Sequence, residues 1–154
     1  MKTFYIIANS GKAECLRLAS EIAEYLTEHG QNCLIRNGGG NADREEKAYD
    51  PEVGKDVDGI LVLGGDGTLL RAARDLAGRN IPFLGINLGH LGYLAEIEEQ
   101  NVYSALDRLI EDSYSVENRM MLEGTVHVDG QDVAKDLALN DIVLDRSGSL
   151  RVVN

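Results

Sequence analysis

The segment Gly64-Gly65-Asp66-Gly67-Thr68 follows directly on the apolar run Ile60-Leu61-Val62-Leu63. Glycines between a strand and a helix let the backbone turn tightly and approach a ligand with no Cβ in the way. Free N–H groups at the helix start, with the positive end of the helix dipole, attract phosphate. Asp66 does not fit a plain phosphate cradle. A carboxylate beside a phosphate repels it unless it has a task. It could take the proton from an attacking hydroxyl, or help to hold a divalent cation. The ordinary alternative is a helix N-cap, which Asp serves well, but glycines on both sides argue against a pure cap. No Gly-Lys-Ser/Thr follows at Walker A spacing, and the run is not the GxGxxG dinucleotide fingerprint.

These residues need elements to position them. Phe4 to Ala8 is a short apolar run that reads as a buried strand. Cys15, Leu18, Ala19, Ile22, Tyr25 and Leu26 fall on one stripe of a helix over 13–28, with Ser10 as its cap and Gly30 past its end. Cys33-Leu34-Ile35 is the next strand. Such a βαβ unit implies a parallel sheet with a right-handed crossover. Residues 37–58 are polar and lack apolar periodicity, so a mobile connection is expected there. Ile60–Leu63 is wholly apolar, as in the middle of a parallel sheet. A helix then runs to about Ala77 and is ended by Gly78. Pro82 opens the strand 83–87. A second glycine-rich loop follows, Leu88-Gly89-His90-Leu91-Gly92-Tyr93, and then a helix from about Val102 to Glu111. The cradle therefore lies at the carboxyl end of a parallel strand, where open α/β sheets bind their ligands.

Past Tyr114 the pattern changes. Thr125-Val126-His127-Val128 alternates, Asp129-Gly130 signals a hairpin, and 137–144 reads as another strand. The expectation is an α/β, Rossmann-like parallel-sheet domain over 1–115. The first antiparallel strands of an incomplete β-rich domain follow over 116–154.

Composition narrows the function. Fifteen Lys and Arg against 26 Asp and Glu give a net charge of −11. Nucleic-acid binding and docking on anionic membrane both need clustered cations, so neither partner is expected. No stretch approaches the roughly 18 apolar residues of a membrane span. Cys15 and Cys33 show no CxxC spacing and are expected to be reduced thiols in a cytoplasmic protein.

Gly64-Gly65-Asp66-Gly67-Thr68 resembles the motif shared by NAD kinases, diacylglycerol kinases and sphingosine kinases, with a relative in the phosphofructokinases. The second loop separates them. Gly85-Ile86-Asn87-Leu88-Gly89-His90-Leu91-Gly92-Tyr93 is similar to the NAD kinase signature, whereas the lipid kinases place a Gly-Thr-Gly-Asn-Asp type run there. Ala138-Leu139-Asn140-Asp141-Ile142-Val143-Leu144 resembles the NAD kinase strand with its Asn-Glu or Asn-Asp pair.

The resemblance implies transfer of a phosphoryl group from ATP, or from polyphosphate in some members, to the 2′-hydroxyl of the adenosine ribose of NAD. It implies a divalent cation, usually Mg²⁺. Asp66 matches the family's proton acceptor, and Gly67 would let the ribose come close. Gly64, Gly65 and Thr68 are placed to offer donors to phosphate, and Arg71 can neutralise a pyrophosphate. Leu70 and Tyr93 would line the adenosine pocket, although a lone Tyr fits core packing too. Asn140 and Asp141 match NAD contacts, and Arg151 stands where members often have a basic one. His90 reads as a structural, hydrogen-bonded residue. The family continues past residue 154, so these residues alone are expected to bind NAD poorly and to lack turnover. The full-length protein is expected to be a homo-oligomer. The competing readings are a lipid kinase of the diacylglycerol type and a non-catalytic nucleotide-binding module.

Overall fold

A computed structural model of the chain describes residues 1–38, 56–89 and 92–143. Met1–Asn118 and Arg119–Asn154 are separate compact units. The first holds a five-stranded parallel sheet: β1 (Thr3–Asn9), β2 (Asn32–Gly38), β3 (Gly59–Leu63), β4 (Phe83–Asn87) and β5 (Ile97–Glu98). Their order across the sheet is β2-β1-β3-β4-β5. Three α-helices accompany them: α1 (Ala13–Glu28), α2 (Asp66–Asp75) and α3 (Val102–Ile110), with a short 3₁₀ turn at Glu99–Asn101 before α3.

The central strands are apolar through Phe4–Ala8 and Ile60–Leu63 because both faces are covered there. Side chains alternate across a strand. Phe4, Ile6 and Ala8 of β1 and Leu61 and Leu63 of β3 therefore share one face. That face packs against Cys15, Leu18, Ile22 and Leu26 of α1 and Val102 and Leu106 of α3. Tyr5 and Ile7 of β1 and Ile60 and Val62 of β3 share the other face with Leu69 and Ala72 of α2 and with Leu76 just beyond it. This is a doubly wound α/β sandwich of three layers. It bears out the parallel-sheet fold read from the sequence.

Local differences have physical causes. Ser10 is not the cap of α1; Lys12 holds that position, and its side chain makes no capping bond. Asn9 takes over the turn instead, with its Oδ1 accepting from the Gly11 N–H at 2.9 Å. Helix α2 is shorter than expected, because past Leu76 the bonds tighten to three residues back, Ala77 N–H to the Arg74 carbonyl and Arg79 N–H to the Leu76 carbonyl, and the chain turns through Gly78 at φ +80°. Strand β5 is two residues long and leaves too little periodicity to read. Most of the expected connection over 37–58 lies outside the described residues.

In the second unit, β6 (Leu122–Val128) and β7 (Gln131–Ala138) pair antiparallel through Asp129 and Gly130, both at positive φ. Lys135 pairs with Glu123 at 2.9 Å, and His127 faces Asp132 across the ladder. The strand expected over 137–144 is displaced: β7 ends at Ala138, so Asn140 and Asp141 stand past its end and are exposed. Residues from 144 on lie outside the described ones.

Ile22 is fully buried between α1 and the sheet, whereas Ile35 on the edge strand is 46% exposed. Ile22→Ala is expected to cost about 2–5 kcal/mol and Ile35→Ala about 1 kcal/mol or less. Urea unfolding of the two variants measures the difference.

Candidate active site

The fully apolar β3 delivers the glycine turn to the carboxyl edge of the sheet. Gly64 N–H is fixed by the Ile86 carbonyl of the neighbouring strand at 3.0 Å. A Cβ on Gly64 would come within 2.6 Å of Thr68 Oγ1 and 3.0 Å of Thr68 Cβ, so this position needs glycine. Gly65 is the N-cap of α2 and contributes no side-chain bond. At Gly65 and Gly67 a Cβ would meet nothing within 4 Å. Those two glycines face open space, as a backbone approached by a ligand must.

Asp66 is the first residue of α2, and its carboxylate reaches across to the second glycine loop. Oδ2 accepts from the Tyr93 N–H at 2.8 Å. Oδ1 accepts from Leu94 N–H at 3.2 Å and from Ala95 N–H at 3.4 Å. The bond from Tyr93 is the main cause that lowers the Asp66 pKa below the ordinary carboxylate value, with those from Leu94 and Ala95 adding to it. The carboxylate is therefore ionised at neutral pH. A carboxylate oxygen has about two acceptor sites. Among the described residues Oδ1 has two donors and Oδ2 one, which leaves Oδ2 one site for a further donor such as a ligand hydroxyl.

Gly92 makes this contact possible. A Cβ there would fall on the Asp66 carboxylate itself. Gly85 of β4 does the same one layer below: a Cβ would stand 2.9 Å from Ala95 Cα and 3.2 Å from Leu69 Cδ2. The segment after the second loop thus lies close over both β4 and α2.

Two asparagines complete the edge, Asn9 and Asn87, and the sequence motifs gave neither of them a role. Asn9, the last residue of β1, donates from Nδ2 to Thr68 Oγ1 at 3.4 Å. Asn87, the last residue of β4, is buried and accepts the Gly89 N–H at 3.1 Å. Each folds its loop back by bonding the N–H two residues on, the Asx-turn habit of this residue. The available signal was an Asn closing an apolar strand just before a glycine.

Seven of the residues singled out in the sequence, Gly64, Gly65, Asp66, Gly67, Thr68, Leu70 and Arg71, gather at the start of α2. Leu70 and Arg71 are half-buried, while the neighbouring Leu69 takes the core position. Tyr93 is joined to Asp66 through its main chain, and its side chain is fully exposed, which removes the core-packing alternative. Asn140 and Asp141 belong to the second unit. His90 and Arg151 lie outside the described residues. Burial pushes the thiols of Cys15 and Cys33 up, Cys33 to about 11, which makes both poor nucleophiles.

A family model described as the ATP-NAD kinase N-terminal domain matches residues 4–114. The chain belongs to the ATP-NAD kinase family. It is 42% identical to the NAD kinase of Agathobacter rectalis over 156 residues, covering 100% of this chain and 53% of that protein. Against the NAD kinase of Moorella thermoacetica it is 43% identical over 157 residues, covering 99% of this chain and 49% of that protein. The chain spans about half the length of the curated relatives it matches. The crystal structure of yeast NADH kinase complexed with NADH shares the fold. Its TM-score is 0.56 at 16% identity, covering 91% of this chain and 47% of that one. Family membership also sets aside the lipid-kinase reading, as the Gly89-His90-Leu91-Gly92 loop had indicated.

The Asp66 contact has a pH signature. Its pKa is lowered by folding, so its contribution is complete above the unfolded value of about 3.9. It is lost as pH falls through the lower folded value. Amide hydrogen exchange at Tyr93 and Leu94 is expected to stay slow at neutral pH and to accelerate only below that value. Gly92→Ala, which displaces the carboxylate, is expected to make exchange there fast already at neutral pH. NMR-detected exchange reads both.

Proposed function

We propose that the full protein transfers a phosphoryl group from ATP, or from inorganic polyphosphate, to the 2′-hydroxyl of the adenosine ribose of NAD. The observation that carries this reading is Asp66: an ionised, oriented carboxylate with one acceptor site left on Oδ2, beside two glycines that face open space. The ribose hydroxyl donates its hydrogen to that site. As the bond from the γ-phosphorus to the β,γ-bridging oxygen breaks, a bond to the ribose oxygen forms. ADP leaves with the bridging electron pair, and the hydroxyl proton passes to Asp66. A carboxylate held below its ordinary pKa is a weak base. Its chief contributions are orientation and proton uptake late in a loose transition state.

Gly64, Gly65, Gly67 and Thr68 offer donors to the phosphates, and Arg71 adds positive charge. Leu70 and Tyr93 flank the acceptor's adenosine. The resemblance assigns Asn140, Asp141 and Arg151 to NAD as well. Among the described residues no group of three or more His, Cys, Asp or Glu could hold a metal. The donor set at this edge, one carboxylate with hydroxyl and amide oxygens, fits Mg²⁺ carried on the donor's phosphate oxygens and water. When bound, the ion neutralises charge on the phosphates.

No helix among the described residues is long and apolar enough to cross a membrane. We take the protein to work in the cytoplasm, as its free cysteines suggest.

Asp66→Asn in the full chain is expected to lower kcat for NADP formation about 10²–10⁴-fold. NAD binding should change far less. Unchanged turnover, measured by a coupled NADP assay, would remove Asp66 from this role.

A further inference from the structure

The strand order reverses between β1 and β3. From β1 the chain crosses over α1 to β2 on one side, and from β3 it crosses over α2 to β4 on the other. Loops leaving two such strands diverge to opposite faces and open a crevice at their carboxyl ends. One wall of that crevice is the glycine cradle after β3. The other is Ser10-Gly11-Lys12 after β1, to which neither the motifs nor the family resemblance gave a role.

The two walls are joined. Asn9 Nδ2 reaches Thr68 Oγ1 at 3.4 Å, and the Asn9 carbonyl accepts the Lys12 N–H at 3.1 Å, which fixes where the Lys12 side chain departs. From there Lys12 extends over the third loop of the same edge. Its Nζ lies 3.7 Å from the position a Cβ on Gly89 would take. A lysine ammonium thus stands at the mouth of the crevice, on the sheet edge that also carries Asp66. Among the described residues it has no ion-pair partner. In a chain of net charge −11, a cation at that edge with no ion-pair partner among the described residues is matched to an anionic ligand.

We propose that Lys12 binds the phosphate chain of the phosphoryl donor and draws charge from the leaving phosphate during transfer. This rests on the kinase reading above and adds the donor side to it. A compact ammonium on a flexible stem suits a phosphate chain, which offers charge without fixed bidentate geometry. The recognised chemistry is the phosphoanhydride itself, shared by ATP and polyphosphate. Lys12 leaves the acceptor's ribose to Asp66.

The experiment is steady-state kinetics of the full chain with Lys12→Met and Lys12→Arg, each with Mg²⁺ and with ATP or polyphosphate as donor. Lys12→Met is expected to raise the KM of whichever donor the protein uses about tenfold to a hundredfold. The KM for NAD should move less than twofold, and Lys12→Arg should recover most of the loss. An unchanged donor KM, or a rise in the NAD KM instead, would overturn the proposal. If the unsubstituted chain forms no NADP, the kinase reading fails first, and calorimetric titration with Mg-ATP and with tripolyphosphate then decides. Binding that Lys12→Met abolishes supports the phosphate site. Equal binding by both proteins, or none by the unsubstituted chain, overturns it. Lys12 is exposed, so the variants should keep the wild-type unfolding midpoint.

Discussion

The candidate site depends on one interaction, the grip of the Asp66 carboxylate on three consecutive backbone N–H groups of the loop after β4. It joins two loops that are 27 residues apart in sequence. It fixes the carboxylate so that one acceptor site on Oδ2 is left for a ligand. It also sets the glycine pattern on the far side: Gly92 must lack a Cβ because the carboxylate occupies that space, and Gly85 must lack one because Ala95 lies over it. The exposure of the Tyr93 ring follows, since the main chain at that residue is turned inward to Asp66.

The same grip sets two chemical demands on Asp66 against each other. Three N–H donors hold the carboxylate in position, and they lower its basicity at the same time. A reaction that needed early proton removal would suffer. Phosphoryl transfer through a loose transition state needs placement and charge stabilisation more than a strong base. The arrangement therefore suits the chemistry of the family. The structure also qualifies the argument that a carboxylate beside a phosphate cradle must be chemical. Asp66 has a structural task, holding Tyr93, Leu94 and Ala95, and the same geometry is compatible with the proposed chemical one.

The sheet supplies the frame. Its strand order sends α1 and α2 to opposite faces, so the loops after β1 and β3 part and leave a crevice. Asn9 at the end of β1 and Asn87 at the end of β4 fold their own loops back, which keeps that edge open. The acidic net charge does not oppose the proposed anion site there, because local N–H groups and nearby cations act at short range. The global field is screened within about 8 Å at physiological salt.

Sequence by itself determined the elements and the kind of chemistry. Apolar runs such as Phe4–Ala8 and Ile60–Leu63 and the helical stripe of α1 are local patterns, set by burial on two faces or one. The Gly-Gly-Asp-Gly-Thr turn and the loop around Gly89 and Gly92 pointed to a phosphate site and to a family. Short β5 lacked the length for a period to show, and Ser10 lost the α1 cap to a turn built by Asn9. Only the tertiary structure decided what Asp66 touches, why position 92 is glycine, and which loop faces the cradle. Those facts depend on contacts between residues far apart in the chain, and on a strand order that no local pattern encodes.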